Sequence, residues 1–178
     1  MSDSADWDRG RVQVYTGDGK GKTTAAIGLA VRCAGAGYHV FLAQFVKGMH
    51  YCELDALGRL EDLITVRQYG RTHFITGQPQ PEDIEAAQAG LADARQAMLS
   101  GDYRLVILDE ANVATHFGLF PVEDLLALID ARPEGVELVI TGRRADPRVI
   151  ERADLVTEMR CVKHYYDRGL CARRGIEE

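Results

Sequence analysis

Six short apolar runs punctuate the chain: Val12–Thr16, His39–Val46, Ile64–Tyr69, Leu105–Asp109, Glu137–Thr141 and Leu155–Met159. They are rich in branched and aromatic residues and show little polar alternation, so they predict strands covered on both faces. Between them, apolar residues recur at helical spacing. Lys22–Ala36 carries Ala25, Ala26, Leu29, Ala30 and Cys33 and runs into Gly35 and Gly37, where a helix ends naturally. Cys52–Leu60, Pro81–Ser100, Val122–Arg132 and Pro147–Ala153 also read as helices, with Pro81 suited to a first turn. Strands alternating with helices predict an α/β protein with a mainly parallel central sheet flanked by helices. The expected organisation is a flexible arm over 1–11 and a single domain over 12–178, with no repeat or linker dividing it.

Composition narrows the function. The 178 residues include 27 acidic and 21 basic side chains, a net charge of −6, and 46% are hydrophobic, which excludes a disordered or fibrous chain. An acidic protein lacks the broad basic face of duplex binders, so nucleic acid is not an expected partner. No stretch approaches ~20 apolar residues, so no membrane span is expected. Met1–Arg11 is polar where a secretory signal would be basic and then apolar, so the expected location is the cytoplasm. Cysteines 33, 52, 161 and 171 show no zinc-ligand or disulfide spacing and read as reduced thiols in or near the core.

The strongest local signal lies where the first strand meets the first helix: Thr16, Gly17, Asp18, Gly19, Lys20, Gly21, Lys22, Thr23, Thr24. Gly21, Lys22 and Thr23 match the end of the phosphate-loop pattern, whereas Thr16 stands at its first glycine. Glycines let several backbone N–H groups turn toward one anion, and the helix N-terminus adds positive potential. Lys22 would reach phosphate oxygens, Thr23 would offer a hydroxyl to Mg²⁺, and Lys20 adds a second cation. The strand Leu105–Asp109, followed by Glu110, ends in two carboxylates, as the metal-binding strand of phosphate-loop enzymes does. On this generic logic one carboxylate holds Mg²⁺ and Glu110 activates water. That reading gives Mg²⁺–ATP binding but leaves the reaction open, since ATP can react at phosphorus or at the ribose 5′ carbon.

Four stretches together resemble the phosphate-loop type of ATP:corrinoid adenosyltransferase. They are Thr16–Ala26; Gln44–Gly48; Leu108–Asn112 with Arg132-Pro133 and Thr141–Arg143; and the tail Ala153–Arg160 with Val162–His164, Asp167, Gly169 and Gly175-Ile176. The resemblance spans Val12 to Glu178 and implies a RecA-like phosphate-loop fold, usually homodimeric. It further implies transfer of the 5′-deoxyadenosyl group of ATP to the Co(I) of a reduced corrinoid, releasing triphosphate. The acceptor would be cobalamin, cobinamide or cobyrinic acid a,c-diamide, and a reduced flavoprotein would supply the electron. By likeness, Gly17 to Thr24 cradle the phosphates and Lys22, Lys20 and Glu110 carry the catalytic charge. Thr23 and Glu110 hold Mg²⁺, or Mn²⁺ in its place, and Asp109 is a weaker candidate ligand. Arg143 sits at a strand's C-terminal end, where open α/β sheets bind ligands, and is a candidate nucleotide contact or a plain surface arginine.

Some relatives carry a Phe-x-Trp pair after the third strand, thought to displace the corrinoid's lower ligand; here Arg71, Thr72, His73 and Phe74 stand there, with Phe74 the candidate wedge. Asn112, Phe117 and the basic tail around Lys163 and His164 are candidate linings with equally good packing or surface readings. The competing functions are a phosphate-loop ATPase or small-molecule kinase, and an ATP-gated corrinoid carrier.

Overall fold

The computed structural model describes residues 9–71, 75 and 77–177. Among these residues six strands form one sheet: β1 Val12–Thr16, β2 Val40–Phe45, β3 Ile64–Tyr69, β4 Leu105–Asp109, β5 Glu137–Thr141 and β6 Leu155–Glu158. Their order is β3-β2-β4-β5-β1-β6 and every pairing is parallel, so all six strands end on the same side. This is the expected α/β phosphate-loop architecture. The helices are α1 Lys22–Gly35, α2 Cys52–Leu57, α3 Pro81–Ser100, α4 Ala111–His116, α5 Val122–Asp130 and α6 Pro147–Arg152.

Alternation along the strands builds two cores. Phe41, Ala43, Phe45, Val106, Leu108, Leu138 and Ile140 face a layer that includes Ala87, Ala94 and Met98 of α3 and Leu125 and Leu128 of α5. Their neighbours Val40, Leu42, Leu105, Ile107 and Val139 face Ala26, Ala30 and Cys33 of α1. Each large side chain buried this way contributes roughly 1.5–3 kcal/mol. The small residues of α1 bring its axis close to the sheet and so fix where its N-terminus, and the loop before it, must lie.

Three features depart from the expectations. Among the described residues β6 has β1 as its one neighbour, and all four of its residues are exposed, so it is not covered on both faces. The segment expected as a helix over Cys52–Leu60 tightens after Leu57 into a 3₁₀ turn, Gly58–Leu60. Of the thiols, Cys33 is buried, and burial pushes its pKa up to about 11. Cys161 and Cys171 are exposed, because they lie in the tail beyond the sheet. At the N-terminal side Gly10 is buried and its amide donates to the Glu134 carbonyl at 2.7 Å, so the chain is tied to the β5 approach before β1 begins. The arm over 1–8 and the candidate wedge residues 72–74 lie outside the described residues. Among the described residues, no helix is long and apolar enough to cross a membrane.

One helical glycine is demanded by packing. A Cβ on Gly90 of α3 would stand 2.5 Å from the Tyr69 ring. That ring is pinned by its hydroxyl donating to Asp93 at 2.8 Å. Gly28 of α1 has open space where its Cβ would be. Gly90→Ala should therefore lose about 1–3 kcal/mol through overpacking, despite its better helix propensity. Gly28→Ala should gain up to about 1 kcal/mol. Urea denaturation of the two variants checks the opposite signs.

Candidate active site

The loop between β1 and α1 turns on Gly17 at φ 93° and on Gly21 at φ 117°, a backbone that side chains rarely adopt. Gly21 precedes α1 without a side-chain cap, so the helix's first N–H groups remain turned toward the loop. Lys22 is buried, and its Nζ donates to the carbonyls of Gly17 at 2.8 Å and Gly19 at 2.7 Å. The ammonium thus sits inside the curl. Burial lowers its pKa, opposed by Glu110, while Arg143 lowers it further and Asp18 and Asp109 raise it. Asp18, Lys20 and Thr24 are exposed, and Lys20 Nζ donates to the Ile176 carbonyl at 3.0 Å.

At the end of β4 stands Asp109, with no solvent exposure. Its Oδ1 accepts from Thr23 Oγ1 at 2.9 Å and Thr141 Oγ1 at 2.7 Å. Its Oδ2 accepts from Lys47 Nζ at 2.8 Å, and Gln44 Nε2 stands at 3.5 Å. Four elements, β2, β4, β5 and α1, therefore converge on one carboxylate. Lys47 was part of a stretch carrying the resemblance, yet sequence reasoning gave it no role. It lies 62 residues from Asp109, and only the β2–β4 register, which sets Gln44 opposite Asp109, brings it there.

Lys47 is held by more than the ion pair. Val46 before it adopts φ 58°, a strained value for a β-branched residue, and its amide donates to the Tyr69 carbonyl at 3.1 Å. Gly48 after it leaves no room for a Cβ, which would fall 2.4 Å from the Gly70 carbonyl oxygen. Glu53 lies 3.9 Å from its ammonium and the Tyr51 ring centroid 5.3 Å away. Burial alone would lower the Lys47 pKa, but Asp109, Glu53 and Glu110 outweigh it and raise the pKa above its ordinary value.

Glu110 is also left-handed, at φ 62°, and its amide donates to Thr141 Oγ1 at 3.0 Å. Its carboxylate accepts no hydrogen bond among the described residues. Burial raises its pKa and Asp109 raises it further, against Lys47, Lys22 and Arg143. Arg143 is exposed just beyond β5, and its charge is felt by both Lys22 and Glu110. The structure so gathers Gly17–Thr24, Glu110 and Arg143 at one end of the sheet, with Lys20 turned toward the tail.

The outlying candidates separate. Asn112 is fully buried and donates to the Gly142 carbonyl at 3.3 Å, while its Oδ1 is unpaired. Phe117 packs on the core. His164 accepts from the Tyr166 amide through Nδ1 at 3.1 Å, within the tail.

A glycine-rich loop, a caged lysine, a threonine hydroxyl and a carboxylate without a hydrogen-bond donor among the described residues thus lie together where the strands end. The family model for ATP:corrinoid adenosyltransferase BtuR/CobO/CobP matches residues 8–177. The chain belongs to this family. It is 37% identical over 171 residues to a corrinoid adenosyltransferase of Pseudomonas aeruginosa, covering 96% of this chain and 84% of that protein. It is 34% identical over 171 residues to the corrinoid adenosyltransferase CobA of Salmonella typhimurium, covering 96% and 86% respectively.

For this adenosyltransferase-family chain, the Lys47–Asp109 pair yields a stability test. Asp109→Asn leaves a largely buried cation with only Glu53, 3.9 Å away, and Lys47→Met leaves a buried carboxylate without its cation; each should cost up to about 3–5 kcal/mol. The Lys47→Met/Asp109→Asn double variant should cost far less than the sum. Because the folded protein holds Lys47 protonated above its ordinary 10.5, the coupling is complete below that pH and fades as pH rises through the higher folded value. Denaturation of the four proteins at neutral and strongly alkaline pH measures it.

Proposed function

We propose that the protein transfers the 5′-deoxyadenosyl group of ATP to the Co(I) of a reduced corrinoid and releases triphosphate. The observation that carries this reading is the family match along residues 8–177 on a chain whose phosphate loop, Lys22 and Glu110 meet at one sheet end. Reduced cobalt is itself the nucleophile, so the chain need not remove a proton. Its task is to hold ATP by the polyphosphate, leave the ribose 5′ carbon open, and stabilise the charge that builds on the departing triphosphate. Lys22 and the loop amides do this from the α1 side. Arg143 adds positive potential from β5, and Lys20 acts there once drawn from the Ile176 carbonyl.

The oxygens present suit Mg²⁺, with Mn²⁺ as a substitute. The Glu110 carboxylate accepts no donor among the described residues and the Thr23 hydroxyl lies at the head of α1, and Mg²⁺ usually takes one or two protein oxygens beside substrate phosphates. Such an ion would neutralise charge on the triphosphate. Thr23 and Glu110 would hold it, with Asp109 fixing the Thr23 hydroxyl. A homodimer, a reduced flavoprotein as electron donor and a cytoplasmic location belong to the same reading and are supported by family likeness. So does the treatment of residues 12–178 as one domain, supported by the continuous sheet.

The test is anaerobic incubation of protein, Mg²⁺–ATP and chemically reduced cobalamin or cobinamide. The adenosylcorrinoid spectrum and inorganic triphosphate should appear together; release of ADP and phosphate without a spectral change would refute the proposal. Lys22→Ala should lower kcat by about 10²–10³, the loss of one preorganised charge donor.

A further inference from the structure

Two neighbouring carboxylates face the same end of the sheet in opposite states. Asp109 receives hydroxyl donors at 2.7 and 2.9 Å on one oxygen and the Lys47 ammonium at 2.8 Å on the other. A carboxylate accepts at about four lone-pair sites, so little of Asp109 is left for a cation. Glu110, the next residue, receives no donor among the described residues. The hydroxyls take one oxygen of Asp109, and Lys47 takes the other. It is the one charged donor to Asp109 among the described residues, and the other group near that oxygen, the Gln44 amide, stands at 3.5 Å. Moreover the chain adopts a left-handed Val46 and a close-packed Gly48 to deliver it.

We propose that Lys47 is a positioning residue that withholds Asp109 from the divalent cation and so makes cation binding depend on the nucleotide. The inference rests on the assignment of Glu110 and Thr23 as cation ligands made above. With Asp109 occupied, the chain offers one carboxylate and one hydroxyl, too few to retain a divalent ion without phosphate oxygens. The ion then arrives with ATP and can leave with triphosphate. With Lys47 removed, Asp109, Glu110 and the Thr23 hydroxyl become a two-carboxylate trap that fills without nucleotide.

The experiment reads Mn²⁺ binding by electron paramagnetic resonance, with and without ATP, independently of turnover. Lys47→Met should bind Mn²⁺ without nucleotide at least tenfold more tightly than the wild-type chain. Lys47→Arg, which keeps the charge, should stay within about threefold of wild type. The Lys47→Met/Asp109→Asn double variant should lose the gain. A role in folding alone would weaken binding in Lys47→Met or leave it unchanged, and either result overturns the proposal, as does a gain that survives Asp109→Asn. If Lys47→Met does not fold, Lys47→Gln keeps a neutral donor to Asp109 and should still show a several-fold gain; its absence has the same meaning. Glu110→Gln separates the two levels. If it abolishes Mn²⁺–ATP binding while Lys47→Met behaves as wild type, the Lys47 inference fails and the ligand assignment stands. If it leaves Mn²⁺–ATP binding intact, the assignment fails and the inference with it.

Discussion

A carboxylate without solvent must be given donors by the protein, and the arrangement around Asp109 follows from that requirement. Thr23, Thr141 and Lys47 come from α1, the end of β5 and the turn after β2. Satisfying one buried anion therefore fixes the relative positions of three segments that carry the site. It sets the first turn of α1, and with it the mouth of the phosphate loop. It orients Thr141, whose hydroxyl in turn receives the Glu110 amide at 3.0 Å and holds that residue in place. The hub is thus a positioning device more than a reactive group, which fits a reaction whose nucleophile is supplied by the substrate.

The backbone shows the same concentration of constraint. Among the described residues, Val46, Glu110 and Arg144 are the non-glycine positions with positive φ, and each follows the C-terminal end of a strand. At the other end of the sheet, the positive-φ turns before β2 and β4 use Gly37 and Gly101. Where only a turn is needed, the chain uses the residue that turns without strain. Where a side chain must be aimed, it retains the side chain and accepts a backbone costing on the order of 1–3 kcal/mol per residue. Lys47 and Glu110, the two charges flanking the hub, are delivered in this way.

Much of the fold was legible because strands covered on both faces write continuous apolar runs: β1, β3, β4 and β5 fall where the runs predict them. Helix α3 was equally plain, its start marked by Pro81; the reciprocal Gln80–Asp83 capping that closes this end is seen only in the structure. Helix α4 was not, since its six residues, Ala111–His116, follow β4 with no intervening loop and begin from a left-handed Glu110. The exposure of β6 was hidden because Leu155 and Val156 resemble core residues, and a run does not state how many neighbours its strand has. In the site, the loop was readable because its residues are contiguous. The Asp109–Lys47 pair was not, because it is created by strand register and by a strained turn, neither of which leaves a local mark.

The anomaly at Thr16, where the general phosphate-loop pattern has glycine, also has a structural reason. Thr16 is still in β1, paired with Glu158 of β6, and its carbonyl accepts the Met159 amide at 2.8 Å. The left-handed position falls one residue later, at Gly17, so glycine is needed there and not before. Gly17 and Gly19 meet a second demand from the same segment. A Cβ on either would fall within 2.7 Å of the Met159 carbonyl oxygen, and the Gly19 amide donates to that oxygen at 2.6 Å. One loop amide is therefore turned to the chain that follows β6 and is not free for an anion. The exit from β6 and the tail, whose Ile176 carbonyl accepts from Lys20, are thus part of how this loop is shaped. The variant loop and the tail are joined in space: glycine stands at 17 and 19 where the segment that follows β6 leaves no room for a Cβ.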